Sequence, residues 1–191
     1  MKETKRKITL DNNTVASTPG NITFNPFVWL KHQPLPFAIF TITCFFAFII
    51  TGINTGSAIF YGLIYISILA YKFIAIKEHY TADSNAGIVI STNPPLIAVA
   101  TDLAKYDGHY PVFKILKYHP KRKIRKGERI ATVAVYEDNF EDRGHWSDFF
   151  PLPAEYATNN SLELKREVSR YPEEQWQQLE SAVAHLHPPY K

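Results

Sequence analysis

Between His32 and Tyr71 the chain carries no Asp, Glu, Lys or Arg, although one fifth of all its residues are charged. A run of this kind must be covered by lipid or by protein. Residues 35–53 hold 11 Leu, Ile or Phe among 19 positions, and residues 58–76 hold 10 among 19. At about 1.5 Å per residue each would span roughly 28 Å as a helix, close to the hydrocarbon thickness of a bilayer. Asn54-Thr55-Gly56-Ser57 between them is rich in turn formers. A buried helical pair in a soluble bundle would show charged residues at helical spacing, and here the polar residues are only Thr, Ser, Tyr, Cys, Asn and Gly. The pattern predicts a transmembrane hairpin, with the bilayer as its partner.

The flanks orient that hairpin. Lys2, Lys5, Arg6, Lys7 and Lys31 precede it, Lys72 and Lys77 close it, and the connecting turn carries no Lys or Arg. The bias toward Lys and Arg on the cytoplasmic side predicts that both ends face the cytoplasm. Lys72, one turn from the end of the second helix, can extend its ammonium to the headgroups while its stem stays in hydrocarbon. Phe27, Trp29 and Lys31, just before the first crossing, fit a segment lying at the membrane interface. The basic residues near Met1 are separated from the apolar run by too many positions for a cleaved secretory leader. Residues 1–34 are thus expected to be a cytoplasmic arm, in which the sequons at Asn12 and Asn21 carry no meaning. The single cysteine, Cys44, excludes a disulfide framework and a cysteine-based zinc site on one chain.

From residue 77 the hydrophobic period changes, and Lys and Arg nearly balance Asp and Glu, 15 against 16. Short β-branched or aromatic runs at residues 88–90, 96–100, 112–116, 130–136 and 162–164 alternate with turn signals at Asn93-Pro94-Pro95, Asp107-Gly108, Lys126-Gly127-Glu128 and Asn159-Asn160-Ser161. Tyr171-Pro172-Glu173-Glu174 opens a helix on which Trp176, Leu179, Val183 and Leu186 share one face. The fold class expected is therefore α+β: a two-helix transmembrane hairpin over 35–76, then a cytoplasmic domain over 77–191 built as a small antiparallel sheet or barrel closed by a C-terminal helix.

Several landmarks in that domain carry a resemblance. Gly87-Ile88-Val89-Ile90, Leu96-Ile97-Ala98-Val99-Ala100, Trp146 with Pro151-Leu152-Pro153, Tyr156-Ala157-Thr158, and the stretch from Glu174 to Glu180 together resemble the bacterial family DUF3239, a domain of unknown function carried behind two membrane helices. The likeness covers about residues 84–185. It implies this architecture at a bacterial inner membrane and implies no activity, ligand or catalytic residue.

The most prominent soluble feature is a basic run: Lys114, Lys117, Lys121, Arg122, Lys123, Arg125, Lys126 and Arg129, opposed within it only by Glu128. Close to a cytoplasmic leaflet each such cation contributes about 1 kcal/mol of attraction to anionic lipid. The same charges can instead keep a strand edge from pairing with other chains or dock a protein. The balanced net charge of the domain disfavours nucleic acid. A second cluster, Asp142, His145 and Asp148, supplies carboxylates near an imidazole and hence the nominees for general acid–base chemistry. No nucleophile elbow, HExxH or calcium-loop pattern accompanies them, and neither a metal nor a cofactor is expected. Function is expected to be non-enzymatic: a protein-binding or adaptor module at the inner membrane, such as an accessory subunit or an immunity-type protein, with a protein partner or a second copy of itself. The alternatives are a ligand-sensing effector that oligomerises through its hairpin, and a membrane-tethered hydrolase.

Overall fold

The computed structural model describes residues 18–50, 55–105, 109–138 and 144–186. Three helices come first: α1 (Pro26–His32), α2 (Pro34–Ile50) and α3 (Thr55–His79). Five strands follow, β1 (Asp83–Thr92), β2 (Pro95–Asp102), β3 (Pro111–Lys117), β4 (Arg129–Glu137) and β5 (Asp148–Pro153). A single 3₁₀ turn (Ala154–Tyr156) leads to α4 (Ser161–Ser169) and α5 (Glu173–Ala184). The strands form one antiparallel sheet in the order β3-β2-β1-β4-β5, so the molecule is α+β.

Alternation along the strands gives the sheet two apolar faces. Ile88 and Ile90 of β1 with Ala98 of β2 pack against Trp176 and Leu179, which places α5 over the centre of the sheet. Val89, Ile97 and Val99 point the other way, into a larger core with Tyr118, Phe149 and Tyr156. On β3, Val112 and Leu116 also join that larger core. Period 2 then puts Lys114 between them, on an apolar face, where an ammonium must find acceptors. It finds them on β5, at the opposite edge: Lys114 Nζ donates to both carboxylate oxygens of Asp148 (2.7 and 2.8 Å) and to the Phe149 carbonyl (2.7 Å). One side chain thus draws the two edge strands together, and the sheet curls into a half-barrel.

Two parts of the sequence reading are corrected here. Leu162-Glu163-Leu164, read as a strand, lies in α4, because Asn160 caps a helix by accepting hydrogen bonds from the backbone N–H groups of Leu162 and Glu163. The fifth strand is instead β5, a segment with two prolines that is absent from the strand runs read in the sequence. Those prolines are tolerated because β5 has a neighbour on one side only.

Glu163 and Glu167 on α4 are buried while Leu162 is 76% exposed, so this helix turns carboxylates inward. Glu167 accepts from Ser84 of β1 and from Arg170, while Glu163 meets the segment before α1. Thr23 donates both its backbone N–H and its hydroxyl to Glu163 Oε1 (2.9 and 2.7 Å), and Arg166 and Arg170 donate to the carbonyls of Asn21 and Pro19. Gly20, Asn25 and Thr18 add backbone hydrogen bonds to Ala82, Ala157 and Ser84. Residues 18–25, expected to belong to a cytoplasmic arm, are stitched onto the sheet domain.

Helix α3, over Gly56–His79, is the one helix among the described residues that is by itself long and apolar enough to cross a membrane. Helix α2 reaches that criterion only together with α1, from which it turns by 95°. The two long helices pack antiparallel, with the Phe40 and Tyr65 rings stacked at 5.3 Å and Thr41 bonded to the Tyr65 hydroxyl. Their outer faces leave Phe45, Phe46, Leu63 and Ile66 more than half exposed. A continuous apolar surface of this kind calls for cover by lipid or protein.

Candidate functional site

The basic run does not act as one patch. Arg122 bonds Glu128 and, through Nε, Glu155 (3.1 Å). Arg129 forms a two-pronged pair with Glu173 (2.8 and 2.6 Å), also bonds Glu180, and lies over the Trp176 ring at 4.9 Å. Lys114 is committed to β5. Burial opposes the charge on Arg122, yet Glu128 and Glu155 hold its guanidinium above the ordinary value. Three of the eight cations are thus neutralised within the fold. Lys117, Lys121, Lys123, Arg125 and Lys126 are exposed and make no ion pair among the described residues. They surround the turn at Gly127, whose φ of +83° suits glycine.

What locates this loop is α1. Asn25 caps the helix by accepting from the N–H groups of Phe27 and Val28, and Val28 is buried against the domain. Trp29 meets Phe73 of α3 edge-on at 6.0 Å, while Phe27 stays 77% exposed beside the exposed Lys31. At the end of the helix, His32 stacks on Tyr156 at 4.4 Å and its Nδ1 bonds the His119 carbonyl at 3.2 Å. A carbonyl only accepts, so Nδ1 carries the proton. Burial holds the His32 pKa below its ordinary value, and burial pushes the Tyr156 phenol up to about 12. His119 lies two residues before Lys121, so the exposed cations sit at the root of α2. The end of α3 docks on the same domain through His79 Nε2, which donates to the Phe150 carbonyl (2.9 Å). Lys77 is exposed, and Lys72 holds its ammonium 5.7 Å from the Phe40 ring.

Asp142 lies outside the described residues, Asp148 is taken by Lys114, and His145 bonds the Trp146 carbonyl while stacking on Tyr110 at 4.1 Å. No group of three or more His, Cys, Asp or Glu able to hold a metal occurs among the described residues. Sequence reasoning missed the pair formed by Asp102, at the end of β2, and His109. Asp102 Oδ1 accepts from the N–H groups of Ala104 and Tyr110, and Oδ2 faces His109 Nδ1. Burial works against its charge, but these bonds hold the carboxylate below its ordinary pKa. The local signal was an aspartate two residues before an amide it can cap. The pair lies at the opposite end of the strands from the basic loop.

The described residues thus form an apolar helical pair joined to a curled antiparallel sheet, with exposed cations where the two meet. The chain belongs to the family described as "Protein of unknown function (DUF3239)", whose model matches residues 72–187. No curated protein matches the chain. A crystal structure titled as that of a "putative membrane protein" from Corynebacterium diphtheriae is similar, with a TM-score of 0.47 and 21% identity over 55% of this chain and 90% of that one.

Proposed function

We propose that this protein is a non-enzymatic binding module anchored in a bacterial inner membrane by α2 and α3, its sheet domain held on the cytoplasmic face with Lys117, Lys121, Lys123, Arg125 and Lys126 against the anionic leaflet. The observation that carries this reading is the docking of His32 on His119 and Tyr156, which fixes the basic loop beside the entry of α2. His32 and His79 bond to one domain, so the chain enters and leaves the apolar pair on the same side. The distribution of Lys and Arg supports the cytoplasm as that side. Fixed at this root, individually weak lipid contacts act at high effective concentration.

The test uses the full chain in nanodiscs, with Cys44→Ala and an environment-sensitive fluorophore on Lys123→Cys. Anionic discs should blue-shift the probe relative to phosphatidylcholine discs. Raised salt, which shortens the screening length to below about 8 Å, should reverse the shift. So should charge reversal of Lys117, Lys121, Arg125 and Lys126 to Glu. Identical spectra in neutral and anionic discs at low salt refute leaflet contact and leave the loop as the docking face for a protein partner.

A further inference from the structure

We propose that the cleft between α4 and α5 takes up one acyl chain of an anionic phospholipid from the leaflet, an inference that rests on leaflet contact by the basic loop. The cleft has a volume of about 450 Å³, within the range of small-molecule sites. Ile130, at the start of β4, forms its floor, and Leu164 and Val168 of α4 with Trp176 of α5 form apolar walls. Leu164 and Val168 are only partly buried by the fold. Apolar surface is therefore left open where the two helices part.

Its position ties the cleft to the bilayer. Glu155, also in the lining, precedes Tyr156, the residue on which His32 stacks, so the cleft opens beside the root of α2. The loop that carries Lys123, Arg125 and Lys126 begins at Arg122 and ends at Arg129, and both of these arginines line the cleft. The cations that the fold leaves unpaired thus stand at its mouth. Charge then decides which head group accompanies the chain. The carboxylates in the lining are already taken: Glu155 Oε2 accepts from Arg122 Nε (3.1 Å), and Glu173 accepts two hydrogen bonds from Arg129 (2.8 and 2.6 Å). Lys165 of α4, exposed and also in the lining, makes no ion pair among the described residues. A phosphate held between Lys165 and the loop meets cations from two sides, while its chain exchanges hydrocarbon for apolar walls and stays out of water. An inorganic anion leaves those walls bare, and a zwitterionic lipid brings its own cation to the lysines.

The experiment follows Trp176 fluorescence in the full chain carrying Trp29→Phe and Trp146→Phe, in nanodiscs whose phosphatidylglycerol has acyl chains brominated near the middle. Bromine quenches an indole on contact, and a chain lying within the bilayer keeps its bromine away from a tryptophan of the sheet domain. Brominated phosphatidylglycerol should extinguish most of the Trp176 emission seen with the unbrominated lipid, and brominated phosphatidylcholine should leave it intact. Val168→Phe, which fills the cleft from α4, and Lys165→Glu, at an exposed site, should each restore the emission. Equal emission with brominated and unbrominated phosphatidylglycerol, equal quenching by phosphatidylcholine, or quenching that survives Val168→Phe overturns the proposal. If Val168→Phe loses its circular dichroism spectrum, Lys165→Glu decides. A blue-shifted probe at Lys123→Cys beside an unquenched Trp176 overturns chain uptake and leaves leaflet contact standing, whereas the absence of both signals overturns both.

Discussion

Replacing Lys114 with Met keeps the aliphatic stem between Val112 and Leu116 and removes only the ammonium that joins β3 to β5. The loss can be worked from the geometry. The ammonium makes three hydrogen bonds, two to a carboxylate, and lies 5.4 and 4.8 Å from the Phe149 and Phe150 rings. Hydrogen bonds to charged groups contribute about 1.5–3 kcal/mol in protected sites, and a cation over a ring about 0.5–1 kcal/mol at exposed ones. Solvent reaches 33% of the Lys114 side chain and 41% of Asp148, which screens the pair and moves the total toward the low end, about 2 kcal/mol. For a domain near one hundred residues this is a fall of roughly 8–16 °C in melting temperature, or roughly 1 M in urea midpoint. The assay is a urea titration of the full chain in neutral nanodiscs, followed by tryptophan fluorescence. Asp148→Asn and the double variant complete a mutant cycle. A change below about 0.5 kcal/mol, or a coupling near zero, would show that the curl of the sheet does not depend on this contact.

Trp176→Ala should destabilise the domain by about 3–5 kcal/mol, because the indole, 2% exposed on the sheet-facing side of α5, closes the core with Ile88 and Ile90; a urea midpoint near that of the unaltered chain would contradict this packing. The docking of α1 should weaken with acid. The folded state holds His32 below its ordinary pKa, so the unfolded or undocked state binds the proton more readily. The stabilisation is full above about pH 6.5 and declines as pH falls through the range between the undocked and the lowered docked pKa. The protection factors of residues 26–32, corrected for the intrinsic slowing of amide exchange in acid, should fall between pH 7 and 5, and His32→Phe, which retains a ring on Tyr156, should lose that dependence.

Where side chains alternate over a run of β-branched residues, the sequence was sufficient: Ile88-Val89-Ile90 and Ile130 to Val135 lie in central strands. It failed at β5 because Pro151 and Pro153 argue against a strand in general, and only a position at the sheet edge lifts that objection. It failed at residues 162–164 because Leu-Glu-Leu has a strand period over three residues, while the inward turn of Glu163 is explained only once the segment holding Thr23 is in place. The basic run was visible as composition. Its division was not, since, apart from Glu128 within the run, the carboxylates that neutralise Arg122 and Arg129 return from positions 33 to 51 residues away.

Docking at both His32 and His79 has a mechanical consequence. A domain hung from one flexible tether swivels freely, so force applied to it is dissipated as rotation. Here the helical pair is held at two separate points of one domain, α2 by way of His32 of α1 beside Tyr156 of the 3₁₀ turn, and α3 by His79 at the Phe150 carbonyl of β5. A tilt of the sheet must then be shared by both helices as a change in their lean or in the sliding of Phe40 against Tyr65. The domain and its helical pair form a lever with two fulcra, and any load placed on the sheet is delivered to the helix–helix contact.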